Sequence, residues 1–170
     1  STYGHINFYN LDTIPRTRVF YIWREFEYDS TERFNQENLQ LGIFNSIIHM
    51  QNSGFMLAKS DSTLITKDTV SNRAQVDLYF SPGTLFKIDT LLIEKAGEGA
   101  DLVDDQLLVE ITDIKTGDTY SLENIRQSQY RLFRTGLFNS VVLSTSEDSI
   151  SGDRIPIKLE GNIGLMHELS

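Results

Sequence analysis

The chain has 170 residues and a formal net charge of −9, with 39% apolar and 23% charged residues. Ten Phe, seven Tyr and one Trp add to that apolar content, which is enough for a packed core in one large or two small domains and argues against a disordered chain. The negative charge argues against nucleic-acid binding, which needs a basic surface. The absence of cysteine excludes disulfides, thiolate metal sites and cysteine nucleophiles.

The first half begins with a predicted strand and two predicted helices. Residues 3–9 alternate in polarity and predict a strand. Pro15 favours a helix start, and we expect this helix to run to about residue 28. Its predicted buried side consists of Val19, Ile22, Trp23 and Phe26. Residues 37–53 predict a second helix that ends before Gly54. The predicted buried side of the second helix consists of Leu41, Phe44, Ile47 and Ile48.

Two strands complete the first half. Residues 55–66 predict a strand, residues 67–72 a turn, and residues 74–80 a second strand. One face of the second strand carries Val76, Leu78 and Phe80. Pro82 and Gly83 then end the unit.

The second half repeats this order of elements. Residues 86–93 predict a strand whose apolar end is typical of burial on both faces. Residues 101–112 predict a helix with acidic residues in its first turn. Residues 121–135 predict another helix, with Ser121 as N-cap and Gly136 beyond its C-terminus. The predicted buried side of that helix consists of Ile125, Gln129, Leu132 and Phe133.

Two strands close the second half. Residues 137–145 and 154–160 predict an antiparallel hairpin with a long polar loop. Ile155, Ile157 and Leu159 point one way in the last strand. Pro156 lacks an N–H, so we expect a missing ladder bond at that position.

The halves form a weak internal repeat. Gly54 and Gly136 occupy matching places, since each follows a predicted helix and precedes a predicted strand. The apolar alternation in the last strand of the first half recurs in the last strand of the second half. The sequence therefore predicts two tandem domains at 1–83 and 84–163, with 164–170 as the start of a following element.

Candidate catalytic and metal patterns are weak. Glu25, Glu27 and Asp29 resemble paired carboxylates with Trp23 as a sugar platform, but nothing sets their separation. The three histidines lack metal-ligand spacing, and no phosphate-binding loop or G-x-S-x-G motif is present. The acidic stretch 94–113 lacks the spacing of a calcium loop and is interpreted as a solvated helix face. We therefore expect no enzyme activity, no metal and no cofactor.

Three stretches of the second half carry a family pattern. Residues 117–126, 132–142 and 155–161 contain a G-x-x-Y-S turn, a helix, a Gly-Leu-Phe step and an apolar strand. This pattern resembles POTRA (polypeptide-transport-associated) domains. The first half resembles them only through residues 52–58 and 76–83.

The resemblance implies an α+β fold: two β-α-α-β-β domains, each a three-stranded mixed sheet with two helices on one face. POTRA domains form tandem periplasmic arrays before an outer-membrane β-barrel in the BamA/TamA superfamily. The implied function is non-enzymatic binding of unfolded outer-membrane or secreted polypeptides, with accessory lipoproteins or neighbouring POTRA domains as further partners. The implied mechanism is transient β-augmentation at a free sheet edge.

The family places that edge at the second strand of each unit. The candidate edge residues are Leu137, Phe138, Asn139, Ser140, Val141, Val142 and Leu143 in the second unit, and Phe55, Leu57 and Lys59 in the first. A hinge is expected at Pro82, Gly83 and Thr84. Two alternatives stay open: a scaffold that docks lipoprotein or cell-division partners, and a carbohydrate-binding domain that uses the aromatic residues 20–28.

Overall fold

A computed structural model describes residues 1–25 and 33–165. The chain divides between Thr84 and Leu85 into two compact units, called unit 1 and unit 2. Each unit has the element order β-α-α-β-β. The predicted α+β class is therefore confirmed.

Unit 1 contains a three-stranded mixed sheet and two helices. Its elements are β1 (Thr2–Tyr9), α1 (Thr13–Glu25), α2 (Gln36–Asn52), β2 (Lys59–Asp68) and β3 (Arg73–Ser81). The strand order is β1-β3-β2, with β1 parallel and β2 antiparallel to β3. The last strand in sequence is thus the central strand, and both other strands lie at sheet edges.

Unit 2 repeats this arrangement. Its elements are β4 (Lys87–Ala96), α3 (Asp105–Thr112), α4 (Leu122–Arg134), β5 (Phe138–Ser144) and β6 (Arg154–Ile163), with short 3₁₀ turns at Ala100–Leu102 and Glu147–Ser149. The strand order is β4-β6-β5, with β4 parallel and β5 antiparallel to β6. The predicted helix 101–112 is therefore a 3₁₀ turn followed by α3, because Asp104 caps the new helix through the N–H of Gln106.

The central strands supply the core of each unit, as the alternation predicted. The fully buried residues on their helix-facing side are Val76, Leu78 and Phe80 in β3, and Ile155, Ile157 and Leu159 in β6. Val19, Ile22 and Trp23 of α1 are also buried as predicted, whereas Phe26 lies outside the described residues.

A buried serine marks the second helix of each unit. Ser46 in α2 and Ser128 in α4 are almost fully buried and stand at the same distance before Gly54 and Gly136, respectively. The Ser46 hydroxyl accepts a hydrogen bond from the indole N–H of Trp23 at 2.9 Å. The Ser128 hydroxyl donates to the backbone oxygen of Thr112 at 2.6 Å. In both units this serine joins the second helix to the first, which supports the predicted repeat.

The predicted buried face of α2 is wrong in part. Leu41 and Phe44 are 49% and 59% exposed, whereas the buried residues of α2 are Leu39, Gly42, Ser46 and Met50. The reason is the indole of Trp23, which fills the space beside Gly42: a Cβ there would lie 2.6 Å from the ring. A face of small residues lets the two helices approach, so the larger residues are displaced to the surface.

Two further predictions need correction. In α4, Phe133 is 60% exposed, because Ser128 takes the buried position against the end of α3. The strand β4 is not buried on both faces, since it lies at a sheet edge and Leu92 is 49% exposed. The expected irregularity at Pro156 is present: the register of β4 against β6 shifts between Ile88 and Leu91, opposite that proline.

Candidate functional site: the sheet edges

The first strand of each sheet has part of its outer edge covered by a loop. In unit 1, residues 33–34 pair with residues 1–2. In unit 2, residues 117–120 make three backbone hydrogen bonds of 2.8–2.9 Å to residues 86–88. These contacts cover only the beginning of β1 and of β4. The second strands, β2 and β5, lie at the opposite edges of the two sheets and are the edges that the family resemblance implies.

The candidate residues Phe55 and Leu57 do not lie in an edge strand. They belong to the turn between α2 and β2, and only Lys59 of the three lies in β2. The reason is the helix end: the N–H of Phe55 donates to the oxygen of Met50, and the N–H of Gly54 donates to that of Gln51. This is a Schellman motif, in which Gly54 has a positive φ of 107° and the next residue closes the helix.

Within residues 1–25 and 33–165, nothing covers the outer edge of strand β2. It has ten residues, none of them buried, and would extend about 33 Å. Among the described residues, no hydrogen bond reaches its backbone from any element other than β3. Its charged residues are Lys59, Asp61, Lys67 and Asp68, and a register shift occurs at Asp61. Charges and a bulge are ordinary protections of an exposed edge against aggregation.

The turn after β2 is held by the carboxylate of Asp68. This carboxylate accepts hydrogen bonds from the Ser71 hydroxyl at 2.5 Å and from the N–H of Val70 at 2.9 Å. The hydroxyl bond, and then the backbone bonds, lower the pKa of Asp68 below its usual value. The far end of the open edge is therefore ordered by an ionised side chain.

The edge strand β5 differs from β2 in packing. Phe138, Val141 and Leu143 are buried on one face of the sheet, while Val142 is 50% exposed on the other face. Asn139 and Ser140 are exposed, and the register against β6 shifts between Phe138 and Ser140. Leu137 precedes the strand, and its backbone oxygen accepts a hydrogen bond from Gly164 at 3.3 Å, so it is not a free edge residue.

A side chain occupies part of the β5 edge. The backbone N–H of Leu143 donates to Oε1 of Gln129 in α4 at 2.9 Å. That N–H therefore points away from β6, and alternation along the regular part of the strand gives Val141 the same direction. Helical periodicity predicts Gln129 on the buried face of α4, and a polar residue among apolar ones is the only sequence signal of this contact.

The hinge residues Pro82, Gly83 and Thr84 lie between β3 and β4, outside regular structure. Gly83 has a positive φ of 72°, a conformation that favours glycine. The hinge itself stays a prediction.

The remaining candidate sites are a sugar platform and a metal site. Trp23 is only 5% exposed and bonded to Ser46, whereas Phe20 and Tyr21 are more than half exposed. Glu27 and Asp29 lie outside the described residues. Within residues 1–25 and 33–165, no group of three acidic or histidine side chains has the geometry of a metal site. None of the described helices is long and apolar enough to cross a membrane.

Comparisons with known proteins agree with this geometry. The sequence model of the POTRA family, described as a surface antigen variable number repeat, matches residues 97–162. No curated protein sequence matches the chain.

Two solved structures superpose well on both units. BamA from Haemophilus ducreyi lacking POTRA domains 1–3 has a TM-score of 0.79 and 15% identity, covering 96% of this chain and 29% of that one. BamA POTRA3–5 from Haemophilus influenzae has a TM-score of 0.73 and 13% identity, covering 95% of this chain and 61% of that one. This chain thus spans less than two thirds of either. The predicted resemblance is confirmed: the POTRA family model matches most of unit 2, and both units carry the POTRA fold.

Proposed function

We propose that this chain is a non-enzymatic polypeptide-binding module on the periplasmic side of the outer membrane of a Gram-negative bacterium. It acts in an outer-membrane assembly or secretion protein of the BamA/TamA superfamily, ahead of a C-terminal β-barrel. Its partners are unfolded outer-membrane or secreted polypeptides, accessory lipoproteins and neighbouring POTRA domains. Support comes from the match to a BamA structure that lacks POTRA domains 1–3, which favours equivalence of the two units with later domains of such an array.

The observation that carries this proposal is the open edge of β2. About half of its ten residues direct their N–H and C=O groups away from β3, as alternation requires. An extended polypeptide can pair with those groups through its own backbone, almost without regard to its sequence. Ordering a flexible chain opposes the gain from these bonds, so binding is weak and reversible. Weak and sequence-tolerant binding suits a module that receives many different clients.

The test is a titration of the ¹⁵N-labelled chain with a synthetic peptide from an outer-membrane β-strand. We expect the amide resonances of β2 to shift with peptide concentration. A control peptide of the same sequence, N-methylated at alternate residues, lacks the edge donors and should leave them unchanged. Equal shifts with both peptides would show that side chains rather than backbone groups carry the binding.

Two adjacent proline variants make this test specific to the outer edge. Thr63 and Leu64 are both exposed and follow the bulge in β2. Because successive N–H groups alternate in direction, one variant removes a ladder bond to β3 and the other removes an outward donor. We expect the variant that loses the outward donor to keep its circular dichroism spectrum and to lose peptide binding. Full peptide binding by that variant in its folded state would contradict β-augmentation at β2.

A second function, the docking of accessory proteins, is favoured by the exposed face of α4. Its residues are Arg126, Tyr130, Phe133 and Arg134, with both aromatic side chains about 60% exposed. The guanidinium of Arg134 lies 5.7 Å from the ring centre of Tyr130. Aromatic residues and arginine dominate the binding energy of protein interfaces. Replacing Tyr130 and Phe133 by alanine in the full-length protein should abolish co-purification of its lipoprotein partners and leave peptide binding at β2 intact.

A further inference from the structure

The β5 edge is bonded to the helix beside it. Oε1 of Gln129 accepts the N–H of Leu143 at 2.9 Å, the place that the carbonyl oxygen of an added strand would take. The donor is a backbone N–H, so the acceptor atom must be the amide oxygen of the glutamine rather than its nitrogen. Gln129 is half-buried, on the side of α4 that packs along β5. The glutamine therefore imitates one residue of an incoming strand.

We propose that Gln129 is an edge guard, a side chain that closes the β5 edge until a client displaces it. This inference rests on the proposed function of β-augmentation. A client strand pairing beside Leu143 must supply a carbonyl oxygen where Oε1 now lies. The exchange replaces one hydrogen bond by another, so it lowers the affinity of the β5 edge without abolishing it.

Unit 1 has no such guard at the equivalent position. The spacing that relates the buried Ser128 to Ser46 also relates Gln129 to Ile47 in α2. The side chain of isoleucine has no hydrogen-bond acceptor, and the described residues place no hydrogen bond on the outer edge of β2. The two equivalent edges therefore differ: β2 is open and β5 is guarded.

The guard also gives β5 a protection against pairing between chains that its own side chains do not supply. β5 carries no charged residue between Phe138 and Ser144, in contrast to the lysines and aspartates of β2. Uncharged edge strands are templates for unwanted pairing between chains. A glutamine that occupies one outward donor interrupts this template and leaves Val141 free to begin pairing.

The test compares three variants of the whole chain. Gln129→Ala removes the acceptor, and Gln129→Glu retains one. Gln127→Ala is the matched control, because Gln127 lies on the same helix, is exposed and bonds within α4, to Glu123 at 2.9 Å. Hydrogen–deuterium exchange at the Leu143 amide reads the contact, and titration with the outer-membrane peptide reads the edge.

We expect Gln129→Ala to speed exchange at Leu143 and to raise peptide affinity at β5 by about two- to tenfold, the range of one hydrogen bond. Gln127→Ala should behave like the unmodified chain in both measurements. Gln129→Glu should leave exchange at Leu143 unchanged and should not raise peptide affinity at β5. Faster exchange without a gain in affinity at β5, while β2 still responds to peptide, would overturn the guard alone. Absence of any peptide response at β2 in the unmodified chain would instead overturn the proposed function.

Discussion

Replacing Ser46 by alanine tests how the two helices of unit 1 are held together. The Ser46 hydroxyl accepts from Nε1 of Trp23 at 2.9 Å and donates to the backbone oxygen of Gly42 at 2.7 Å. Ser46 is fully buried and Trp23 is 5% exposed, so water has little access to either group. The alanine variant leaves the indole N–H without this acceptor and preserves the shape of the site.

The expected magnitude follows from two opposing effects. Removing the acceptor of a buried donor costs about 1–3 kcal/mol. Alanine in place of serine in a helix interior returns about 0.5 kcal/mol through its higher helix propensity. The net loss should be about 0.5–2.5 kcal/mol. For a domain the size of unit 1, this corresponds to a fall in Tm of about 2–20 °C.

The assay uses the only tryptophan of the chain as a local reporter. Because Trp23 packs in unit 1, its fluorescence follows the unfolding of that unit during a thermal or urea transition. Gln40→Ala is the control, since Gln40 is exposed on the same helix and its loss should change stability by less than about 0.5 kcal/mol. Equal midpoints for the two variants would refute the argument that the serine is retained to satisfy the indole.

Two predictions concern unit 2. Arg131 donates from Nε and Nη2 to the last carbonyl groups of α3 at 3.1 and 2.7 Å. Arg131→Lys loses this forked geometry and should lower the free energy of unfolding in urea by about 1–2 kcal/mol. The control Arg126→Lys, on the exposed face of α4, should leave it unchanged. Burial raises the pKa of Tyr120, and hydrogen bonds to neighbouring glutamates raise that of Lys158. Both contributions are complete below about pH 10 and are lost as the pH rises through the raised pKa values. Urea midpoints should therefore fall as the pH rises above about 10, less steeply in Tyr120→Phe, and an unchanged slope in that variant would contradict the role of Tyr120.

Local chemistry made the helix ends and the central strands predictable. Ser121 caps α4 through the N–H of Asn124, and Gly136 takes a positive φ of 73°, as their residue types indicated. Alternation alone identified the buried faces of β3 and β6. Each of these signals depends on a few neighbouring residues, so no knowledge of the tertiary structure was needed.

Competition between two patterns accounts for the features that the sequence did not predict. The stripe of Leu41 and Phe44 satisfied helical periodicity, but the indole of Trp23 selected the small side of α2 instead. The segment beginning at Phe55 has the composition of a strand, yet the Schellman motif uses its backbone to end α2. In both cases two patterns competed within one stretch of sequence. A contact distant in the chain decided the first case, and a local helix-ending motif decided the second.

The two sheet edges are alike in backbone topology and differ in their side chains. Repetition gave both units the same sheet order, so topology alone makes β2 and β5 equally exposed. Their protection comes instead from single residues: charges and a bulge along β2, and one glutamine reaching β5 from α4. Charged side chains on β2 leave its backbone donors accessible, whereas Gln129 occupies a donor directly. A peptide that pairs through its backbone should therefore find β2 first, and the difference between the two edges should depend on position 129 rather than on the fold.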